Sequence, residues 1–82
     1  MEKEYAVLIG YRIRQERVQR NISQPEMAYI LGISYSYYNN IEKGNRSCRI
    51  EVLIEICREF GISSDRILRD SVPVDTGGFC LK

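Results

Sequence analysis

Five side chains between Tyr35 and Lys43 could do recognition chemistry if that stretch forms a helix. At about 100° per residue, Tyr35, Ser36, Asn39, Asn40 and Lys43 share one side, and Tyr37, Tyr38 and Ile41 share the other. The first side is polar and rich in bidentate or hydroxyl groups. A carboxamide donates and accepts at once, so Asn40 suits the N6 and N7 edge of adenine. Ser36 can do either, and Tyr35 can meet a thymine methyl or a phosphate. An α-helix fits the major groove of duplex DNA, where each base pair shows a distinct donor and acceptor pattern.

Other chemistries are poorly supplied. The chain has no histidine, which removes the commonest general base and the commonest metal ligand. Its three cysteines, Cys48, Cys57 and Cys80, are an odd set without a CxxC pair. Neither a disulfide framework nor a zinc site is expected. Gly77-Gly78 does not sit between a strand and a helix, so there is no phosphate-binding glycine loop. No enzyme, cofactor or metal is expected.

Charge adds a mild pointer. Residues 1–49 hold eight Lys/Arg against five Glu, a balance of +3, and residues 50–82 hold four against six, a balance of −2. The basic half is where a DNA face would be needed, although a solvated surface would account for the bias equally well. Hydrophobic residues make up 44% and charged residues 28%, as in an ordinary globular domain. No apolar run approaches the ~18 residues of a membrane span, and the charged start Met1-Glu2-Lys3-Glu4 does not open a signal peptide. A cytoplasmic protein without membrane contact is expected.

The elements that must position the polar face follow from punctuation. A first helix from about Tyr5 to Gln19 carries Ile9, Ile13 and the stem of Arg17 on one stripe, and Asn21 suits the left-handed position after it. Ser23 caps a second helix, with Glu26 completing a capping box. Pro25 sits in its first turn, and Met27, Ala28 and Leu31 form its buried stripe. Gly32 stops it. Ser34 caps the third helix, from about Tyr35 to Lys43, and Gly44 ends it. After a polar loop over 45–49, a fourth helix runs from about Ile50 to Phe60, ended by Gly61. Ser63 caps a short fifth helix carrying Ile67 and Leu68.

The unit from Ser23 to Gly44 is helix, glycine-centred turn, helix. Here the sequence resembles the Cro/phage-repressor-like, or XRE, helix-turn-helix family. The likeness runs from about Ile9 to Leu68. It rests on Ile13-Arg14 and Arg17, Ile22-Ser23-Gln24, Met27-Ala28, Leu31-Gly32-Ile33-Ser34, Ile41-Glu42-Lys43-Gly44-Asn45-Arg46, Leu53-Ile54-Glu55-Ile56-Cys57 and Phe60-Gly61-Ile62-Ser63. The combination at fixed spacing is specific where each piece alone is weak.

The resemblance implies roles. Gln24 reaches the DNA backbone or the base contacts of helix three. Tyr35, Ser36 and Asn40 stand at base-reading positions with Asn39 beside them. Lys43, Asn45 and Arg46 match the phosphate-contacting loop. Arg17 and Glu42 match an ion pair tying helix one to helix three. Three departures stand out. Cys48 replaces a frequent proline, which predicts a less rigid loop. Tyr38 replaces an aliphatic residue, so its hydroxyl must reach water or a partner. The Tyr35, Tyr37, Tyr38 cluster leaves the operator unpredictable. Tyr37 and Tyr38 read as core residues, and Arg12, Arg14 and Arg20 as solvated, with room for one phosphate contact among them.

The expected fold is all-α: a compact five-helix bundle of the phage-repressor-like type over residues 1–70, with a C-terminal tail over 71–82 that is flexible or interface-forming. The expected function is sequence-specific duplex DNA binding by a transcriptional regulator, a repressor acting as a homodimer on a palindromic operator. Control would come from concentration, degradation or a regulatory partner protein. The dimer expectation rests on helix four. There Val52, Ile56, Phe60, Leu53, Cys57, Ile50 and Ile54 span an arc of about 200°, where a core stripe needs only somewhat over ~100°. Ile67 and Leu68, or Phe79 and Leu81 in the tail, could cover the excess within one chain, or the same groups could meet a second copy. The alternative function is a protein-interaction module on the same fold, such as an antitoxin or an anti-repressor partner.

Overall fold

The computed structural model of the chain describes residues 3–68. Five helices follow one another: α1 (Lys3–Gln19), α2 (Gln24–Leu31), α3 (Tyr35–Lys43), α4 (Ile50–Phe60) and α5 (Ser64–Leu68). There is no strand among the described residues. The all-α, five-helix reading holds. The tail expected from residue 71, with Phe79, Cys80 and Leu81, lies outside the described residues.

The caps form largely where the sequence places them. Ser23 and Ser34 stand in extended backbone, and their hydroxyls accept from the Glu26 and Tyr37 N–H groups at 3.2 and 3.0 Å. Each bond satisfies one of the orphan donors of a first turn. Of the expected box at Ser23, only the serine half forms among the described residues; the Glu26 side chain stays exposed. Asn21 takes the left-handed conformation, with φ of 57°. α1 starts at Lys3 rather than near Tyr5. Glu4 in its first turn favours that extension, because a carboxylate complements the positive end of a helix.

The core gathers one stripe from every helix: Ile9 and Ile13 from α1, Met27 and Ala28 from α2, Tyr38 and Ile41 from α3, five residues of α4, and Ile67 from α5. Leu31, expected in the buried stripe of α2, is half-buried against this cluster. α4 buries Val52, Leu53, Ile56, Cys57 and Phe60 but leaves Ile50 65% and Ile54 48% exposed. Ile67 is spent in the core. Leu68 lines an open, mainly apolar groove with Ile50, Leu53, Ile54, Cys57 and Ile62. Thus α5 borders the excess apolar arc without closing over it.

Two glycines determine how α1 meets α3. A Cβ on Gly10 would lie 2.2 Å from the Ile41 carbonyl oxygen and 2.8 Å from that of Glu42. A Cβ on Gly44, whose φ is +80°, would lie 2.6 Å from the Val7 Cα. Backbone therefore rests on backbone where α1 crosses the last turn of α3. This approach brings α1 close enough for Arg17 to reach Glu42.

In a solvated helix Gly10→Ala would gain about 1 kcal/mol of helix propensity. Here the clash with backbone should outweigh that gain and leave a net loss of roughly 2 kcal/mol or more. Urea denaturation measures it. A midpoint equal to or above that of the unsubstituted protein would contradict the close approach.

Candidate nucleic-acid interface

The outer face of α3 is the polar one. Tyr35, Ser36 and Lys43 are exposed, Asn39 and Asn40 half-exposed, while Tyr38 and Ile41 point inward. Asn40 is tied to the loop that follows. Its backbone carbonyl accepts from the N–H groups of Asn45 (2.9 Å) and Arg46 (3.3 Å), and its Oδ1 accepts from Asn45 Nδ2 at 3.4 Å. Asn40 also lines a polar cleft of about 580 Å³ with Ser34, Ser36, Tyr37, Arg46, Ser47 and Arg49.

Tyr37 packs against the edge of the core, as expected, and also organises that cleft. It is half-buried, and its hydroxyl donates to the Ser47 carbonyl at 3.0 Å while accepting from the Arg49 N–H at 3.2 Å. The guanidinium groups of Arg49 and Arg46 lie 4.9 and 5.6 Å from its ring centroid, within the range of a cation–π attraction. The loop at Cys48 is therefore braced by a tyrosine, at a place where the resembled family frequently has a proline. Burial pushes the Cys48 thiol up to about 12, which keeps it a neutral packing group. Arg49 joins Arg46 in this cleft. Sequence reasoning missed it, because nothing in the spacing showed that residue 49 would return to the Tyr37 ring.

Beneath the face lies a buried polar cluster centred on Glu42. Arg17 donates from Nε to Glu42 Oε2 at 2.7 Å and from Nη2 to Oε1 at 3.1 Å. Gln24 Nε2 donates to Oε1 at 2.8 Å, and the Tyr38 hydroxyl donates to Oε2. A carboxylate offers about four lone-pair sites, and all four are filled. The displaced aliphatic position at Tyr38 thus has its reason: the hydroxyl finds the carboxylate one turn on. Arg17 also donates to the Ile22 carbonyl at 2.6 Å, fastening the α1–α2 connection. Burial alone would raise the Glu42 carboxyl; the bonds from Arg17, Tyr38 and Gln24 outweigh it and hold the group below its ordinary range. Burial, reinforced by Glu42, keeps the Tyr38 phenol protonated well above its ordinary value.

The structure brings several expected site residues together. Gln24 is half-buried rather than projecting freely; its Oε1 accepts from the Tyr35 hydroxyl at 3.3 Å, and that hydroxyl accepts from Asn39 Nδ2 at 3.3 Å. Arg20 is not solvated as expected. It donates to the Glu16 carboxylate (2.8 Å), the Glu16 carbonyl (2.7 Å) and the Phe60 carbonyl (3.1 Å), and it lies over the Phe60 ring. Buried Glu16 also accepts from Arg66 at 3.2 Å. The i, i+4 spacing of Glu16 and Arg20 carried that signal. Among the described residues there is no group of three acidic, Cys or His side chains able to hold a metal, and no helix long and apolar enough to cross a membrane.

Comparison with known proteins agrees with this architecture. A family model described as a helix-turn-helix domain matches residues 10–70. The HTH-type transcriptional regulator RamB of Mycobacterium tuberculosis is 41% identical over 64 residues, covering 78% of this chain and 13% of RamB. The chain therefore spans about an eighth of that relative's length. The cryptic phage CTXphi transcriptional repressor RstR of Vibrio cholerae is 30% identical over 64 residues, covering 78% of this chain and 58% of RstR. Among solved structures, the restriction-modification controller protein C.AhdI of Aeromonas hydrophila superposes with a TM-score of 0.71 at 24% identity, covering 76% of this chain and 94% of that one. The clp gene regulator ClgR of Corynebacterium glutamicum reaches 0.76 at 22% identity, covering 82% and 71%. The structural likenesses speak to fold.

The cluster yields a stability prediction. Arg17→Met strands a buried carboxylate, which should cost about 3–5 kcal/mol. The double variant Arg17→Met, Glu42→Leu should recover part of that loss. Thermal melts of the two proteins measure it; a single-variant melt that overlays the unsubstituted protein would refute the role given to the pair.

Proposed function

The chain belongs to the helix-turn-helix domain family, in the Cro/phage-repressor-like branch its sequence resembles, and we propose that it binds duplex DNA sequence-specifically and regulates transcription. The observation that carries this reading is the α3 face: exposed hydrogen-bonding side chains with a cationic cleft at the helix's far end, set over an apolar inner side. In the proposed complex α3 enters the major groove. Asn40 and Ser36 read base edges with Tyr35 and Asn39 beside them, and Gln24 supports the set from the start of α2. Lys43, Asn45, Arg46 and the added Arg49 contact phosphates. The polar, cationic character of the face disfavours a module that binds only other proteins. Repression by occupancy of an operator is the simplest mechanism for such a domain, and the likeness to the transcriptional repressor RstR supports it. A cytoplasmic location goes with that role, and so does control by a regulatory partner, by concentration or by degradation.

A homodimer completes the proposal. One domain of this size reads a few base pairs, and two-fold pairs on palindromic sites multiply that discrimination. Exposed Ile50 and Ile54 and the apolar groove beside them offer the surface, which would meet its copy across a two-fold axis.

Selection from a pool of randomised duplexes tests both parts. The protein should enrich one two-fold symmetric sequence. Asn40→Ala should relax preference at one base pair of each half-site, a loss of roughly 1–3 kcal/mol of discrimination. Lys43→Ala and Arg46→Ala should each lower the slope of log affinity against log salt by about one while weakening all sequences alike. No enrichment would contradict DNA reading, an unrepeated half-site would contradict the dimer, and unchanged slopes would contradict the phosphate assignments.

A further inference from the structure

Tyr35 sits at the start of α3 with 49% of its surface exposed, and a phenol there could read DNA in either of two ways. As a donor it would bind a phosphate or a keto edge. As an acceptor it would bind an exocyclic amine. The surrounding hydrogen bonds decide between them, and the decision begins in the core.

Glu42 can only accept when ionised. Gln24 must therefore turn its amide nitrogen toward Glu42 Oε1, 2.8 Å away. That orientation leaves Gln24 Oε1 facing Tyr35. An amide oxygen can only accept, so the Tyr35 hydroxyl must donate to it across 3.3 Å. The single phenolic proton is thereby committed inward. Asn39 then presents its Nδ2 to the Tyr35 oxygen at 3.3 Å. Its own Oδ1 is buried and has no hydrogen-bond partner. The unit of Gln24, Tyr35 and Asn39 holds three oxygens and is one donor short. What Tyr35 has left on its exposed side is a lone pair.

We infer that Tyr35 reads the major groove as a hydrogen-bond acceptor, taking an exocyclic amino group of adenine or cytosine, and that Gln24 is the positioning residue that enforces this polarity. Adenine N6 and cytosine N4 are the amino donors of the major groove; guanine O6 and N7, thymine O4 and phosphate oxygens only accept. The relay therefore excludes a phosphate contact for Tyr35. This inference rests on the DNA-binding reading above and narrows it to one side chain and one chemical group.

The experiment uses the full chain and the duplex it selects from a randomised pool. Tyr35→Phe keeps the ring and, at an exposed position, the fold. It should lose preference for adenine or cytosine at one base pair, by roughly 3- to 10-fold, the worth of one hydrogen bond. In the unsubstituted protein, replacing that base by its analogue without the amino group should cost the same factor. With Tyr35→Phe the same replacement should cost nothing further. Gln24→Leu removes the acceptor of the phenolic proton. It should shift preference at that pair from amine-bearing toward keto-bearing bases, a change that depends on the Tyr35 hydroxyl and that a purely structural role for Gln24 would not produce. Uniform weakening across all sequences by Tyr35→Phe would assign the residue to phosphate and overturn the inference. So would an unaltered preference at every position, or, at the affected pair, a cost on masking the keto oxygen and none on removing the amino group. A failure of the unsubstituted protein to select any sequence would overturn the DNA-binding reading itself and this inference with it.

Discussion

A carboxylate in a protein interior must have its charge met or it costs several kcal/mol. Glu42 imposes that constraint on this fold. Its side chain is 2% exposed, and its two oxygens take four hydrogen bonds from Arg17, Gln24 and Tyr38. The donors come from α1, α2 and α3, so these three helices are joined at a single group. The arginine then reaches on to the Ile22 carbonyl and fastens the α1–α2 turn. Apolar packing supplies most of the driving force for a core of this kind. It is non-directional, however, and would tolerate small rotations of α3. A filled carboxylate does not, because each rotation breaks a charge-assisted bond.

The same group connects the interior with the surface. Gln24 serves Glu42 with its nitrogen and Tyr35 with its oxygen, so the acceptor-only character of a buried charge reaches an exposed phenol two bonds away. The far end of α3 is ordered by different means. Tyr37 holds the 45–49 loop through its hydroxyl and gathers Arg46 and Arg49 on its ring. Two tyrosines in the first turn of α3 thus order its outer face, and in the proposed complex they would prepare base contact at one end and backbone contact at the other. Rigid preparation of this kind lowers the ordering cost of binding.

Much of this was legible in the residues. The serine caps, the glycine stops and the apolar stripes place all five helices, because those signals are local. The Arg17–Glu42 pair came from family resemblance, since helical periodicity cannot say which stripes meet. Tyr38 to Glu42 was within reach: the spacing is i, i+4, and the hydroxyl needed a partner. Glu16 has the same spacing to Arg20, and Arg20 was read as solvated. Gly10, a glycine inside a helix, hinted at a close approach that only the crossing of α1 over Ile41 explains. The direction of the Gln24 amide had no sequence signature. Residue type names donors and acceptors together, and only the neighbour decides which end is used. The wide arc of α4 was visible as a pattern, and its outer edge at Ile50 and Ile54 indeed remains uncovered by α5.

Glu42 stays ionised in the core because its four donors outweigh its burial. A carboxyl held below its ordinary value adds stability that is present above about 4.3, the ordinary glutamate value, and is lost as pH falls through the lowered one. The direct measurement is an NMR titration of the Glu42 side-chain carboxyl carbon in the folded protein. A midpoint below the ordinary value is expected, with the Tyr38 and Arg17 side-chain resonances moving in the same step. A midpoint at or above that value would mean that burial wins over the donors and would contradict an ionised Glu42 held by them.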